Sequence, residues 1–144
     1  MKFWDSSALV PLCVEERATR PLLALAREDA EILVWWASGA ECDSALARLE
    51  RDGALSAADA DAAFRRLDVL KRSWIEIEPR DEIRELARRL LRVHPLRAGD
   101  AMQLGAAHLA AERRPATLEL VTLDDRLRAA AVKEGFMLTE VAGL

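Results

Sequence analysis

Four acidic residues stand where a predicted strand ends or a predicted helix begins: Asp5, Glu41, Asp100 and Asp124. Because the carboxyl ends of the strands in an α/β sheet meet at one edge, we expect these side chains to lie close together. Clustered carboxylates repel one another unless a cation lies among them, and a hard divalent metal with oxygen ligands is the simplest such cation. The pattern therefore predicts metal-dependent phosphate chemistry.

Asp100 is the most informative of the four in its own surroundings. The segment from residue 98 to residue 111 is apolar almost all the way round, which is typical of a buried helix. A charge near the start of such a helix is costly unless it is compensated. The helix dipole supplies less than about 1 kcal/mol at that end, so a bound metal would compensate the charge far better.

The other three acidic positions also have ordinary structural interpretations. Asp5 and Asp124 suit the N-cap of a helix, and Asp125 would start the last helix equally well. Glu41 lies on one shoulder of the apolar stripe of its helix and Asp43 on the other. Helical periodicity alone does not choose between these two.

The elements that must position these residues alternate between strands and helices. Strands are predicted at 2–5, 32–35, 74–77, 118–122 and 136–139, and helices at 6–13, 16–29, 39–52, 57–71, 81–93, 98–113 and from Asp124 or Asp125 to about 134. Ser38 and Ser56 are the expected caps of the third and fourth helices, and Pro11 is awkward within the first. The order predicts one α/β domain over residues 1–144, with helices on both faces of a parallel sheet.

Bulk composition narrows the class of protein. The chain is 51% hydrophobic and 32% charged, as in soluble globular domains, and its net charge of −4 argues against a protein that holds nucleic acid by charge alone. Cys13 and Cys42 form no CxxC motif, which favours a reduced, cytoplasmic setting. No apolar run is long enough for a signal peptide or a membrane span.

Four segments in this order carry a family resemblance. They cover residues 5–10 (DSSALV), 41–48 (ECDSALAR), 96–104 (LRAGDAMQL) and 120–127 (LVTLDDRL). Together they resemble the PIN-domain ribonucleases, and within them the VapC-type toxins of prokaryotic toxin–antitoxin pairs. The resemblance extends over nearly the whole chain and implies a PIN-like three-layer α/β/α fold with a short parallel sheet.

The resemblance also implies roles for particular residues. Asp5, Glu41, Asp100 and Asp124 match the acidic quartet that holds Mg²⁺ or Mn²⁺, with Ser6 and Thr122 in support. It thereby prefers Glu41 to Asp43 and Asp124 to Asp125. The implied activity is that of an endoribonuclease, which hydrolyses RNA phosphodiester bonds. The resemblance also implies that the protein forms a homodimer and is inhibited by a small antitoxin protein. One departure follows the second predicted strand. The family often has Thr or Ser directly after this strand, whereas here Trp36 and Ala37 come before Ser38.

RNA of unspecified sequence must be held by phosphate contacts and base stacking. The candidate phosphate ligands are Arg48, Arg51, Arg97 and Arg126. Trp4, Trp35 and Trp36 would stack bases if exposed, but would otherwise belong to the core. His94 and His108 are expected to be structural.

Two other functions fit the same pattern. The chain would be a catalytically silent PIN-like module if its role were only to bind a partner. It would be a phosphatase of another acidic-pocket class if Asp5 were a nucleophile. Haloacid-dehalogenase-like sites carry a second Asp two residues on, and this chain has Ser7 there.

Overall fold

The computed structural model describes residues 1–29 and 31–143 and contains a five-stranded parallel sheet. The strands are β1 (Lys2–Trp4), β2 (Ile32–Trp35), β3 (Ile75–Ile77), β4 (Glu119–Val121) and β5 (Met137–Leu138). Their order across the sheet is β3-β2-β1-β4-β5, and each pair of neighbours is parallel. The parallel sheet predicted from the alternation of elements is confirmed.

Helices connect the strands. Within the described ranges they are α1 (Ser6–Leu9), α2 (Thr19–Glu28), α3 (Ser38–Arg51), α4 (Ala57–Lys71), α5 (Asp81–Val93), α6 (Ala98–Ala110) and α7 (Asp125–Lys133). Short 3-10 turns follow α1 at Val10–Leu12 and precede β4 at Pro115–Thr117. No helix in the described part of the chain has the length and apolar character needed to cross a bilayer.

Two apolar cores flank the sheet because successive strand residues face opposite sides. Phe3 and Leu33 pack with side chains of α5, α6 and α7, whereas Trp4 and Val34 pack with side chains of α1, α2, α3 and α4. The buried strand β2 is apolar on both faces, as expected of a strand covered on both sides. The expected three-layer α/β/α arrangement is therefore confirmed.

The strand order places β1 at the point where the chain reverses its direction across the sheet. β1 pairs with β2 on one side and with β4 on the other. Ligands of open α/β sheets bind beyond the carboxyl ends of the strands at such a switch point. Asp5 follows β1 here, and its backbone N–H donates a 3.0 Å hydrogen bond to the carbonyl of Val121, the last residue of β4.

Several local predictions hold and others need correction. Ser56 caps α4, because its Oγ accepts a 3.1 Å hydrogen bond from the Asp59 N–H. Gly53 and Gly135 follow α3 and α7 with φ of 77° and 92°, values that favour glycine. The first helix, predicted to reach residue 13, becomes a 3-10 turn containing Pro11, whose ring cannot continue the α-helical bonding.

Apart from β2, each strand is one or two residues shorter than predicted, and three more helix predictions need correction. α2 begins at Thr19 rather than at residue 16. α6 ends at Ala110 rather than at 113, since Glu112 and Arg113 take φ of 50° and 60° and leave the helical conformation. Ser38 is not the cap of α3: it is the first helical residue, Ala37 precedes it as N-cap, and the Ser38 side chain is buried.

Candidate active site

Asp5 is fixed at the end of β1 by a shell of donors. Its Oδ2 accepts hydrogen bonds from the Ser7 N–H (3.2 Å), the Ser7 hydroxyl (2.5 Å) and the Thr122 hydroxyl (2.9 Å). The residue is 5% exposed. It is the N-cap of α1, as its ordinary structural interpretation predicted. Oδ2 is thus held by three donors, whereas Oδ1 accepts one long hydrogen bond, of 3.5 Å, from the Ser6 hydroxyl.

Thr122 joins Asp5 to Asp124. Its Oγ1 donates to Asp5 and accepts a 3.2 Å hydrogen bond from the Asp124 N–H. The Asp124 carboxylate caps α7, because its Oδ1 accepts a 2.7 Å hydrogen bond from the Leu127 N–H. Asp125 is the first residue of that helix. The Asp124 side chain is therefore held at the carboxyl end of β4 by the helix that it caps.

Glu41 lies in the first turn of α3 and faces the same edge. Its Oε2 accepts hydrogen bonds from the Ser6 hydroxyl (2.8 Å) and from Nε2 of Gln103 (3.1 Å). Ser6 therefore stands between Asp5 and Glu41. Asp43, the alternative on the opposite shoulder, instead forms an ion pair with Lys71 at 3.1 Å.

Gln103 is a site residue that the sequence analysis missed. It is 1% exposed, and its Nε2 also lies within 3.1 Å of the Ser38 hydroxyl, so it supports the orientation of Glu41 from α6. A signal existed in the sequence. Gln103 is an amide in a largely apolar helix and stands three residues after Asp100, a spacing that places both on one helical face.

Asp100 lies in the first turn of α6, where its Oδ2 accepts a 3.3 Å hydrogen bond from the Arg97 N–H. These two residues line two adjoining clefts. One, of about 580 Å³, is also lined by Ser6, Ser7, Val10, Ala37, Ala40, Glu41, Ser44, Ala45 and Arg48; the other, of about 480 Å³, by Leu123, Asp124, Asp125 and Arg126. Three of the four proposed arginines therefore lie at these clefts, whereas Arg51 is exposed near the end of α3.

A further cleft of about 610 Å³ lies over β3 and the ends of α5 and α6. It is lined by Glu76, Ile77, Glu78, Arg80, Glu82, Leu109, Ala110, Glu112 and Arg113. None of these residues belongs to the acidic cluster, which we define as Asp5, Glu41, Asp100 and Asp124. Cleft volume alone therefore does not identify the site, and the arrangement of charges is the better guide.

The members of the acidic cluster act on one another electrostatically. Burial raises the pKa of Asp5, and the negative charge of Asp100 raises it further, against the hydrogen bonds from Ser7 and Thr122. Burial also raises the pKa of Glu41, with smaller contributions from Asp5 and Asp100. Burial is again the main cause of the raised pKa of Asp100, and the charge of Asp124 adds to it. Ionisation of Asp5, Glu41 and Asp100 is thus disfavoured mainly by burial, and the charges of neighbouring carboxylates add to that cost.

The donor set indicates which cation would fit. The side chains facing the clefts offer carboxylate and hydroxyl oxygens, and no imidazole or thiol belongs to the cluster. Within residues 1–29 and 31–143, no three His, Cys, Asp or Glu side chains come close enough to enclose an ion by themselves. Mg²⁺ takes one or two carboxylates and keeps several waters. An oxygen-ligated divalent cation bound at this edge would therefore have to keep several of its waters.

The tryptophan and histidine candidates differ in burial and in their position relative to the acidic cluster. Trp4 and Trp35 are buried in the two cores, whereas Trp36 is 56% exposed. His94 and His108 are buried and contact the Glu134 carboxylate at 2.6 and 3.1 Å, away from the acidic cluster. Both histidines stabilise the junction of α5, α6 and α7, as a structural role requires.

Comparisons with known proteins identify the fold. No known family model and no curated protein matches this sequence. The similar solved structures include PAE2754 from Pyrobaculum aerophilum, with a TM-score of 0.63 and 24% identity over 95% of this chain and 82% of that chain. They also include a toxin–antitoxin complex from Klebsiella pneumoniae (TM-score 0.64, 17% identity) and FitAcB from Neisseria gonorrhoeae (TM-score 0.67, 13% identity), each similar over the whole of both chains. The likeness confirms the PIN-like three-layer α/β/α fold of this chain.

Proposed function

We propose that this chain is a metal-dependent endoribonuclease that hydrolyses RNA phosphodiester bonds with Mg²⁺ or Mn²⁺. One observation carries the proposal: four carboxylates from separate segments of the chain influence one another at the carboxyl edge of β1 and β4, beside two arginine-lined clefts. Such a site suits a substrate that brings its own negative charge together with a hydrated divalent cation.

Asp5, Glu41, Asp100 and Asp124 are the residues that would hold the ion, directly or through its waters. A bound ion would supply Lewis-acid chemistry: it would lower the pKa of a water, polarise the scissile phosphate and offset charge on the leaving oxygen. Thr122 and Ser7 orient the Asp5 carboxylate, and Ser6 and Gln103 orient that of Glu41. This network fixes the carboxylates before substrate arrives, which lowers the cost of organising the site.

Arginines on the cleft walls would hold the RNA backbone. Arg48 and Arg97 line the cleft with Glu41, and Arg97 and Arg126 line the cleft with Asp124. Guanidinium groups suit bidentate contacts to phosphate. Since Arg97 belongs to both clefts, it is the best-placed residue to contact the phosphate nearest the acidic cluster.

The phosphatase alternative finds less support. A nucleophilic Asp5 would have to reach the phosphorus atom directly, but its side chain is 5% exposed and its Oδ2 accepts three hydrogen bonds. Ser7 stands at the position where such enzymes carry a second acid, and its hydroxyl is engaged by Asp5 and by the Leu123 N–H. Hydrolysis without a covalent intermediate is therefore the proposed course.

The proposed biological role is the toxin of a toxin–antitoxin pair. The toxin–antitoxin complex from Klebsiella pneumoniae, which is similar along the whole chain, supports this role and a small antitoxin as partner. We also propose a homodimer, as the family resemblance implies. Co-expression with the protein from an adjacent short reading frame should suppress cleavage, and sedimentation should give twice the 16.0 kDa mass of the chain.

The decisive experiment is cleavage of a fluorescent single-stranded RNA with Mg²⁺ or Mn²⁺. EDTA should stop the reaction and added Mg²⁺ should restore it. Asp5→Asn should reduce the rate by more than the roughly 10- to 100-fold typical of a change in the outer shell of a metal site. Asp61→Asn, a matched change at an exposed residue of α4, should leave the rate unchanged. Equal cleavage by the Asp5→Asn protein, with circular dichroism showing an intact fold, would refute the proposal.

A further inference from the structure

Trp36 is an exposed tryptophan just beyond β2, one residue before Ala37, which lines the cleft that contains Glu41 and Asp100. It is 56% exposed, whereas Trp4, Trp35 and Trp74 are at most 8% exposed. A single exposed apolar side chain is not unusual in itself. An exposed indole at the edge of a candidate active site is more informative, because large aromatic side chains are common among residues that dominate binding.

The position of Trp36 is held by its neighbours. Its backbone N–H donates a 3.0 Å hydrogen bond to the carbonyl of Ile77, which continues the contact between β2 and β3 beyond the end of β2. Its ring packs edge-to-face against buried Trp35, with centroids 6.4 Å apart and planes at 68°. These contacts restrict the conformation of the indole. It therefore loses little conformational entropy when it stacks against a flat partner.

The two residues that follow Trp36 contact the candidate active site. Ala37 lines the cleft that contains Glu41 and Asp100, and Ser38 is hydrogen-bonded to Gln103, which contacts Glu41. Trp36 therefore lies directly before a residue of the cleft wall, at the carboxyl end of β2, and we call this position the rim of the cleft. A nucleotide whose phosphate lies against the arginines of the cleft wall would bring its neighbouring base toward this rim.

We propose that Trp36 stacks on an unpaired base of the RNA next to the scissile phosphate. The inference rests on the proposed ribonuclease function and specifies its substrate as single-stranded RNA. In an A-form duplex the base faces are stacked within the helix, so an indole at the rim has no face to contact. Loss of one stacking contact corresponds to a roughly 5- to 100-fold weaker interaction with a single strand.

The first test compares Trp36→Ala and Trp36→Phe with Val69→Ala, a change at a 62% exposed residue of α4. On a single-stranded oligoribonucleotide, Trp36→Ala should raise KM by roughly 5- to 100-fold with kcat within about twofold. Trp36→Phe should recover most of that loss because it retains an aromatic face. Val69→Ala should match the wild type.

The second test removes the base instead of the indole. A series of oligoribonucleotides, each with one abasic nucleotide, should reveal a position at which loss of the base raises KM in the wild type but not in Trp36→Ala. This coupling is what a direct contact requires. Equal abasic effects in both proteins would refute the stacking proposal, and so would a wild-type KM in Trp36→Ala.

A third measurement reports binding without turnover. Since the other three tryptophans are buried, iodide should quench mainly Trp36, and single-stranded RNA bound to the Asp5→Asn protein should protect it. A change of association state in Trp36→Ala with unchanged KM would assign the ring to a protein interface and overturn the proposal. If the wild type cleaves no RNA at all, the proposed function itself fails; if it cleaves and only the Trp36 tests fail, that function stands.

Discussion

Oγ1 of Thr122 donates a 2.9 Å hydrogen bond to Oδ2 of Asp5, and so links the first residue after β4 to the first residue after β1. The two residues are 117 positions apart in sequence and are buried, with exposures of 1% and 5%. The bond lowers the pKa of Asp5 against the larger effect of burial. Thr122 therefore favours the ionised form of a buried carboxylate and helps to fix its orientation.

Thr122→Val should separate this role from side-chain shape, since valine keeps the volume and loses the hydroxyl. We expect cleavage to fall by about 10- to 100-fold, as for outer-shell changes at metal sites. Loss of one donor to buried Asp5 should also lower the free energy of unfolding by about 1–3 kcal/mol, measured by urea denaturation. Thr122→Ser should restore both quantities. Cleavage at the wild-type rate by Thr122→Val would show that the hydroxyl does not support the site.

Glu41 and Asp43 provide a matched pair of substitutions two residues apart on α3. Glu41→Gln retains an acceptor for the Ser6 hydroxyl but removes a charge from the acidic cluster. We expect it to weaken Mg²⁺ activation by at least about tenfold, measured as the Mg²⁺ concentration for half-maximal cleavage.

Asp43→Asn is the control for that experiment. It removes an ion pair in which Asp43 and Lys71 are 46% and 31% exposed, so the free energy of unfolding should fall by only about 0.2–1 kcal/mol. Its Mg²⁺ activation should equal that of the wild type. The reverse outcome, with Asp43→Asn impaired and Glu41→Gln active, would move the site to the other shoulder of α3.

Mg²⁺ should stabilise the folded chain because it offsets repulsion within the acidic cluster. At 100 times the dissociation constant, a ligand specific for the folded state adds about 2.7 kcal/mol to the free energy of unfolding. The melting temperature of the wild type should therefore rise with Mg²⁺ and fall again with EDTA. In EDTA, Asp100→Asn should be at least as stable as the wild type, since it relieves repulsion with Asp5 and Asp124, but it should lose the response to Mg²⁺. A full Mg²⁺ response in Asp100→Asn would exclude Asp100 from the ion site.

Glu134 should control stability at acid pH. It accepts hydrogen bonds from both terminal nitrogens of Arg89 (3.1 and 2.6 Å) and contacts His94 and His108. The Arg89 bonds, with that of His94, lower the pKa of Glu134 to about 2 despite its burial. A carboxyl with a depressed folded pKa contributes stability above its unfolded value of 4.5, and this contribution is lost as pH falls toward about 2.

Urea denaturation between pH 7 and pH 2 would test this prediction. Glu134→Gln should cost about 1–3 kcal/mol at pH 7 and flatten the loss of stability below pH 4.5. Burial also lowers the pKa of His108, so some stability should already be lost as pH falls below 6.5. Glu112→Gln, at an exposed residue paired with Arg114, should change stability by less than about 0.5 kcal/mol. An unchanged pH profile in Glu134→Gln would contradict the assignment.

Local patterns in the sequence predicted most of the elements. The apolar run of β2, the start of α5 at Asp81 and the Ser56 cap of α4 are all as expected. Each depends on interactions within a few residues, which the printed sequence contains. The same is true of the acidic residues after β1 and β4, because strand ends follow from the end of an apolar segment. These signals were sufficient to predict the parallel sheet and the gathering of acidic residues at the carboxyl edge of β1 and β4.

Only the tertiary structure could decide between residues that are equivalent in their own element. Glu41 and Asp43 flank one apolar stripe, and contacts with Ser6 and Lys71 from distant segments give them different surroundings. Trp35 and Trp36 are chemically identical neighbours, yet Trp35 ends β2 and is buried against α5 and α6, whereas Trp36 lies beyond the end of the strand and is exposed. The amino-acid sequence therefore determined which elements form and which residues end them. The packing of those elements decided which side chains meet, because that depends on contacts that no local pattern encodes.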